Sequence, residues 1–241
     1  MMMIKVNFRW KTSVPALALI LSLIGYALPA SAAWEDTYTG YATYTGSGYS
    51  GGAALLDPIP ADMEITALNP AQYNYGGINA ALAGAYLEVE GPLGTTTVYV
   101  TDLYPEGASG ALDLSPNAFA KIGNMIDGKI NIKWKVVEAP ITGNVQYRIK
   151  EGSSQWWAAI QVRNHKYPVL KMEVLQNGTW VNLEKQPYNH FLGTGLGTED
   201  LTIRITDIKG QTLTDTIPAL PENGTGQAYI VPGHVQFTGS H

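Results

Sequence analysis

The chain has no cysteine, so no disulfide can staple it and no thiolate can act as nucleophile or metal ligand. Stability must come from buried apolar surface and hydrogen bonds. Charge is sparse too, at 15% of residues, and cations are scarcest in the first half. Residues 33–138 hold 12 carboxylates against Lys121, Lys129, Lys133 and Lys135, a net −8, whereas residues 139–241 hold eight of each sign. Nucleic acid and anionic membranes both demand a basic footprint, so neither is an expected partner. A neutral polymer suits this distribution better. The four histidines, His165, His190, His234 and His241, lack the spacing of zinc ligands. The scattered Asp and Glu residues form no calcium loop, so no metal and no cofactor is expected.

After residue 28 there is no long apolar run. Residues 16–28 form one, preceded by Lys5, Arg9 and Lys11 and followed by Ala30-Ser31-Ala32, the layout of a secretory signal. Pro15, Gly25 and Pro29 keep the run short of a membrane span. The expectation is a signal peptide over 1–32, a mature chain starting at Ala33, and a secreted, extracellular product.

Helical periodicity is almost missing as well. Short β-branched and aromatic runs alternate with Gly, Pro and Asn clusters, the pattern of an all-β protein. In the first half the strand candidates are 37–45, 63–67, 86–90, 96–103 and 130–136. One helix is convincing, at 115–123, with Ser115 as N-cap, Pro116 at the first helical position and Gly123 at the end. A second, short helix is expected at 79–84. The second half offers strands at 144–151, 156–163, 170–176, 179–183, 201–206, 212–217 and 226–234. Asn177-Gly178 is a strong hairpin signal between two of them. This density of short strands indicates a β-sandwich of about 100 residues. The charge balance changes at 138–144, where Pro140 and Gly143 interrupt, which places a boundary between domains 33–138 and 139–241.

Three stretches could carry chemistry. The densest polar cluster runs from Thr101 through Asp102 and Tyr104 to Glu106, followed by Leu112-Asp113-Leu114-Ser115. Asp113 is a carboxylate between two leucines, and burial would raise its pKa toward that of a general acid. Equally, it could bond backbone amides near the helix start and simply fix the turn. The run from Gly40 to Gly52 alternates small, hydroxyl and aromatic residues and could line a groove. The adjacent pair Trp156-Trp157 is the third. Neighbouring side chains on a strand face opposite ways, so both indoles share a face only if the chain leaves the pleat at the Ser153-Ser154 turn or at a bulge. Trp134 and Trp180 sit in alternating patterns and are read as core.

The segments GYATYTGSGYSGGA, TDLYPEGASGALDLSPNAFAKIG and SSQWWAAIQVRNHKYPV closely resemble bacterial expansins, in the same order across essentially the whole chain after residue 32. The resemblance implies two packed all-β domains. The first would be a six-stranded double-psi β-barrel related to family-45 glycoside hydrolases. The second would be an immunoglobulin-like β-sandwich classed as a family-63 carbohydrate-binding module. It also implies loosening of cellulosic walls without hydrolysis. Carried across residue by residue, the groove positions fall on Thr43, Asp102, Tyr104 and Asp113, with Asp113 as the acid essential for loosening. The flat cellulose-binding surface falls on Trp156, Trp157 and Tyr188, with Lys150 as a basic neighbour. Tyr188 joins this set through the resemblance alone.

Partners implied are cellulose and associated wall glucans, with xylan or peptidoglycan as further polymers, and the protein is expected to be a monomer. Hydrolysis would need a second carboxyl group across the scissile bond. In the related hydrolases that base comes from the region of Thr43 to Ser47, yet no Asp or Glu lies between Asp36 and Asp57. The rival expectation is a lytic enzyme, either a weak endoglucanase or a peptidoglycan lytic transglycosylase. Ser109 stands where an arginine is common in the family, and the acidic balance argues against adsorption to polyanions through net charge.

Overall fold

The computed structural model describes residues 34–239, and the expected signal peptide lies outside the described residues. The first six strands are β1 (Tyr38–Tyr44), β2 (Ile65–Leu68), β3 (Tyr86–Gly91), β4 (Gly94–Leu103), β5 (Leu112–Leu114) and β6 (Ile130–Val137). They close into a barrel in the order β1-β5-β2-β4-β3-β6. Two pairings, β1 with β5 and β2 with β4, are parallel, while the others are antiparallel. This mixed pairing is that of a double-psi barrel.

Period-two patterning dictates which way each strand faces. On β6, Ile130, Ile132, Trp134 and Val136 are buried, and Asn131, Lys133 and Lys135 between them are exposed. Trp134 is 1% exposed and donates its indole N–H to the Gly110 carbonyl at 2.9 Å. The same crossing explains two glycines. A Cβ on Gly40 would stand 2.3 Å from the Gly110 oxygen, and one on Gly110, where φ is +83°, would stand 2.1 Å from the Thr39 oxygen. Only two glycines let the loop before β5 cross β1 this closely.

Helix α1 (Pro70–Tyr73) starts from Asn69, whose side chain accepts from the Gln72 amide. Helix α2 (Pro116–Ile122) follows Ser115 and ends at Gly123, within the span the capping residues indicated. Ser115 holds the N-cap position without a side-chain cap; its hydroxyl instead accepts from the Ile65 amide at 3.1 Å, tying the helix entry to β2. Residues 79–84 form turns, not the expected helix, because the Asn74 carboxamide takes the Ala80 amide and Gly84 adopts φ +77°.

The remaining strands are β7 (Gln146–Ile149), β8 (Trp157–Arg163), β9 (Val169–Gln176), β10 (Thr179–Lys185), β11 (Phe191–Thr194), β12 (Leu201–Asp207), β13 (Thr212–Ile217) and β14 (Tyr229–Pro232). They run in the order β13-β12-β9-β10-β11-β8-β7-β14. The sheet turns over at β10, which pairs with β9 through Leu183 and then with β11 at Glu184 and Lys185. Two four-stranded layers result, and Tyr147 on β7 bridges them by donating to Asp215 on β13 at 2.9 Å. The Asn177-Gly178 turn has φ of +49° and +78°, as a type I′ hairpin requires. Trp180 is not core. It is half-exposed, with the Arg204 guanidinium 4.4 Å from its ring centroid. Alternation placed it on one face of β10, and tertiary packing put that face outside.

The described residues belong to one compact unit. Barrel and sandwich are joined through the long loop between β1 and β2. Arg163 donates to the Asp57 and Leu55 carbonyls at 2.8 Å each, and Gln161 and Asn189 both donate to the Ala54 carbonyl. Asn79 donates to the Lys185 carbonyl from the other side of the junction. No helix among the described residues is long and apolar enough to cross a membrane.

Candidate functional site

Strand β5 is only three residues long, yet it brings the barrel's polar residues together. It lies between β1 and β2, with Asp113 opposite Thr43 on one side and Ala67 on the other. Leu112 and Leu114 point inward, so Asp113 points out. The Thr43 hydroxyl donates to Asp113 Oδ1 at 2.7 Å. The side chain therefore reaches across to β1, away from the amides of α2. Desolvation pushes the Asp113 carboxyl above its ordinary pKa; the Thr43 hydrogen bond opposes this, and the charges of Glu106 and Asp102 add to it. A half-buried carboxyl of this kind keeps its proton to higher pH than a free one and can donate a hydrogen bond to a glycosidic or hydroxyl oxygen.

Tyr104 closes the same cluster. Its phenol is pushed up, chiefly by desolvation, and it interacts with both Thr43 and Tyr41. Asp102 has a different task. Its Oδ1 accepts from the Ala53 amide at 2.7 Å and from the Leu103 amide at 2.8 Å, which pins the loop after β1 to the end of β4. The next residue of that loop, Ala54, is the one Gln161 and Asn189 hold from the sandwich. One loop thus connects the end of β4, beside the Asp113 cluster, to the second domain.

The aromatic candidates lie on the sandwich. Trp156 is 67% exposed and precedes β8, while Trp157 opens that strand, half-buried, opposite Thr194. The chain is irregular here: Ser154 donates its amide to the Trp157 carbonyl, and the Trp156 and Gln155 carbonyls accept from Gly195 and Leu196. Neither indole is in the core, and the chain departs from the regular pleat just after the Ser153-Ser154 turn. Tyr188 is half-buried, with its ring centroid 5.3 Å from that of His190. Lys150 on the neighbouring segment is ion-paired with Glu151. On β8, Trp157, Ala159, Gln161 and Arg163 share the face opposite the inward Ala158, Ile160 and Val162. The end of that face away from Trp157 carries the contacts to the barrel.

Two residues lay in the stretches noted from sequence but were not placed among the site residues. Tyr41 reaches Tyr104, and its signal was the Gly40–Gly52 alternation. Glu106 is the carboxylate whose charge bears most on Asp113. Among the described residues no group of three or more His, Asp or Glu side chains could hold a metal ion.

The architecture is that of two-domain proteins joining a double-psi barrel to a β-sandwich. Comparison with known proteins narrows this. The chain is 72% identical to Expansin-YoaJ of Bacillus subtilis (strain 168) over 218 residues, covering 90% of this chain and 94% of that protein. Expansin-like protein 1 of Dictyostelium discoideum is 27% identical over 188 residues, 74% of this chain and 64% of that protein. Among solved structures, a Clavibacter michiganensis expansin variant in complex with cellohexaose matches with a TM-score of 0.73 at 30% identity. The apo form of that expansin matches at 0.72 and 31%. Each covers 86% of this chain and all of the solved chain. No family model matches. The chain belongs to the expansin family.

Proposed function

We propose that this expansin binds cellulose through Trp156, Trp157 and Tyr188, engages an adjacent glucan in the Asp113 groove, and loosens the wall without cutting it. Trp156 carries the reading, because a 67% exposed indole has no structural reason to stay uncovered. The apolar face of a pyranose ring is flat, and an aromatic strip matches it. Covering about half of the exposed indole at ~25 cal/mol per Å² contributes about 2 kcal/mol, or ~30-fold in affinity. The related Clavibacter protein, crystallised with cellohexaose, supports a β-glucan ligand.

Residues 33–138 then act as the groove domain and 139–241 as the docking domain. Held together by the Gln161–Ala54 and Arg163–Leu55 contacts, they present groove and strip to neighbouring chains. Asp113, protonated or ionised, exchanges hydrogen bonds with glucan hydroxyls, and binding energy offsets the loss of glucan–glucan contacts. No cofactor enters this scheme. The residue facing Asp113 across the ladder is Thr43, which cannot activate water as a carboxylate would. The protein is exported and acts as a monomer on an extracellular wall.

A second reading has one observation in its favour. The raised Asp113 pKa suits a general acid, and Glu106 supplies a nearby second carboxylate. Under that reading the protein is a lytic enzyme on a wall glycan, cellulose or peptidoglycan, and soluble sugar must appear. The test of the binding arm is depletion from solution by microcrystalline cellulose. Trp156→Ala combined with Trp157→Ala should weaken binding at least ~30-fold, while Asp113→Asn should bind like the parent. Equal binding by all three proteins would contradict the assignment of the strip.

A further inference from the structure

The outer wall of the barrel continues past Tyr104. Thr39, Tyr41 and Thr43 point the same way along β1, and across the ladder Tyr41 stands opposite Asn131 and Thr39 opposite Lys133 on β6. Lys133 in turn stands opposite Glu90 on β3. Thr39, Tyr41, Asn131, Lys133 and Glu90, with Lys129, line a cleft of about 690 Å³. Its volume lies within the range of sites that hold small ligands. Tyr41 belongs to both places, since it lines this cleft and reaches the phenol of Tyr104.

The charges are not placed at random. Residues 33–138 carry four lysines against 12 carboxylates. Lys121 is ion-paired with Glu64, and Lys135 with Glu88 at 3.0 Å. Among the described residues Lys129 and Lys133 have no carboxylate within ion-pair distance, and both line the cleft. The Lys129 ammonium sits 3.7 Å from the Tyr41 ring centroid, an arrangement that holds the cation in place without neutralising it. Asn131 and Thr39 offer neutral hydrogen bonds beside it. A densely charged polyanion would meet the domain's net −8 and the Glu90 carboxylate on the cleft wall. A neutral glycan bearing an isolated carboxylate would set a single charge against the two ammoniums, with Glu90 the one carboxylate on the same wall.

We propose that this cleft is a subsite for a uronate, the carboxylate-bearing sugar branch of an otherwise neutral wall glycan whose backbone lies in the Asp113 groove. The proposal rests on the groove reading given above. It explains why the two lysines of an acidic domain that lie outside its ion pairs share one cleft joined to that groove by Tyr41.

The test uses a xylo-oligosaccharide carrying one glucuronate and the same oligosaccharide with its carboxyl reduced to the alcohol. Affinity is measured by titration calorimetry, and the contact site by amide chemical shifts. The parent should bind the acidic form about five- to tenfold more tightly, as two partly exposed charge contacts allow. That preference should vanish in Lys129→Gln with Lys133→Gln and fade in high salt. The double variant should bind the reduced form and cellulose as the parent does. No preference in the parent, or a preference that survives the double substitution, would overturn the proposal. Failure of the groove reading looks different: the reduced oligosaccharide would then leave the amides of Thr43, Tyr104 and Asp113 unshifted, whatever happens at β6.

Discussion

Replacing Arg163 with methionine should uncouple the two domains' shared loop while leaving Trp156 and Trp157 in place. Methionine keeps much of the aliphatic stem, so the loss is chiefly that of the guanidinium. Two contacts at 2.8 Å disappear, those to the Leu55 and Asp57 carbonyls, together with the 2.6 Å bond from Arg163 Nε that orients Gln161. Each carbonyl left unsatisfied costs about 1–3 kcal/mol when buried, and these two lie in a part-buried junction, so the loss is about 2–4 kcal/mol in all. For a chain of this size that lowers Tm by about 5–15 °C. The loop that loses its anchor is also the one Asp102 holds through Ala53, so amide exchange should accelerate over residues 51–57. Cellulose binding should persist, because Trp156 and Trp157 stand at the opposite end of β8, whereas wall loosening should fall. Calorimetry and cellulose depletion on one preparation suffice. A Tm within ~1 °C of the parent, or lost cellulose binding with an unchanged Tm, would refute the reasoning.

Other consequences are equally measurable. The Arg204 hydrogen bond, helped by Lys171, pulls the buried Glu173 carboxyl down to about 2. Its folded pKa lies below the ordinary value near 4.5, so its stabilisation is present above that value and is lost as pH falls through about 2. Glu173→Gln should therefore lower Tm at pH 7, with the gap closing toward pH 2. Asp113 has the opposite sign: its raised pKa makes the charged form a liability in the folded state. Asp113→Asn should be at least as heat-stable as the parent at pH 7, and that advantage should disappear in acid as the parent carboxyl becomes protonated. Gly110→Ala, with φ of +83° and a Cβ 2.1 Å from the Thr39 oxygen, should lose more than ~2 kcal/mol in denaturant melts.

What the sequence disclosed follows from how local each signal is. Strand β6 alternates over eight residues and α2 carries its own start and stop signals, so both were legible. Strand β5 was not, though it carries Asp113. Three residues between a glycine-rich loop and a helix cap have no period of their own. They are extended because β1 and β2 flank them from 70 and 46 positions away, at Thr43 and Ala67. Strand β11, four residues containing a glycine, escaped for the same reason. Helix α1 is a single turn, too short for periodicity, although Asn69-Pro70 marks its start. Trp180 shows a different limit: alternation tells which residues share a face, and only the packing of two layers tells which face is inside. The Trp156-Trp157 pair was informative because it violated the strand pattern, and the chain is irregular at that point. Tyr188 has no local signal and entered through family likeness alone.

The most direct test of the central claim is the creep of heat-inactivated plant wall strips under constant load, with the bath assayed for released sugar. The parent protein should extend the strips without soluble product, and Asp113→Asn should fail to extend them while still binding cellulose. Extension that tracks sugar release, or an Asp113→Asn variant that loosens walls like the parent, would contradict the account.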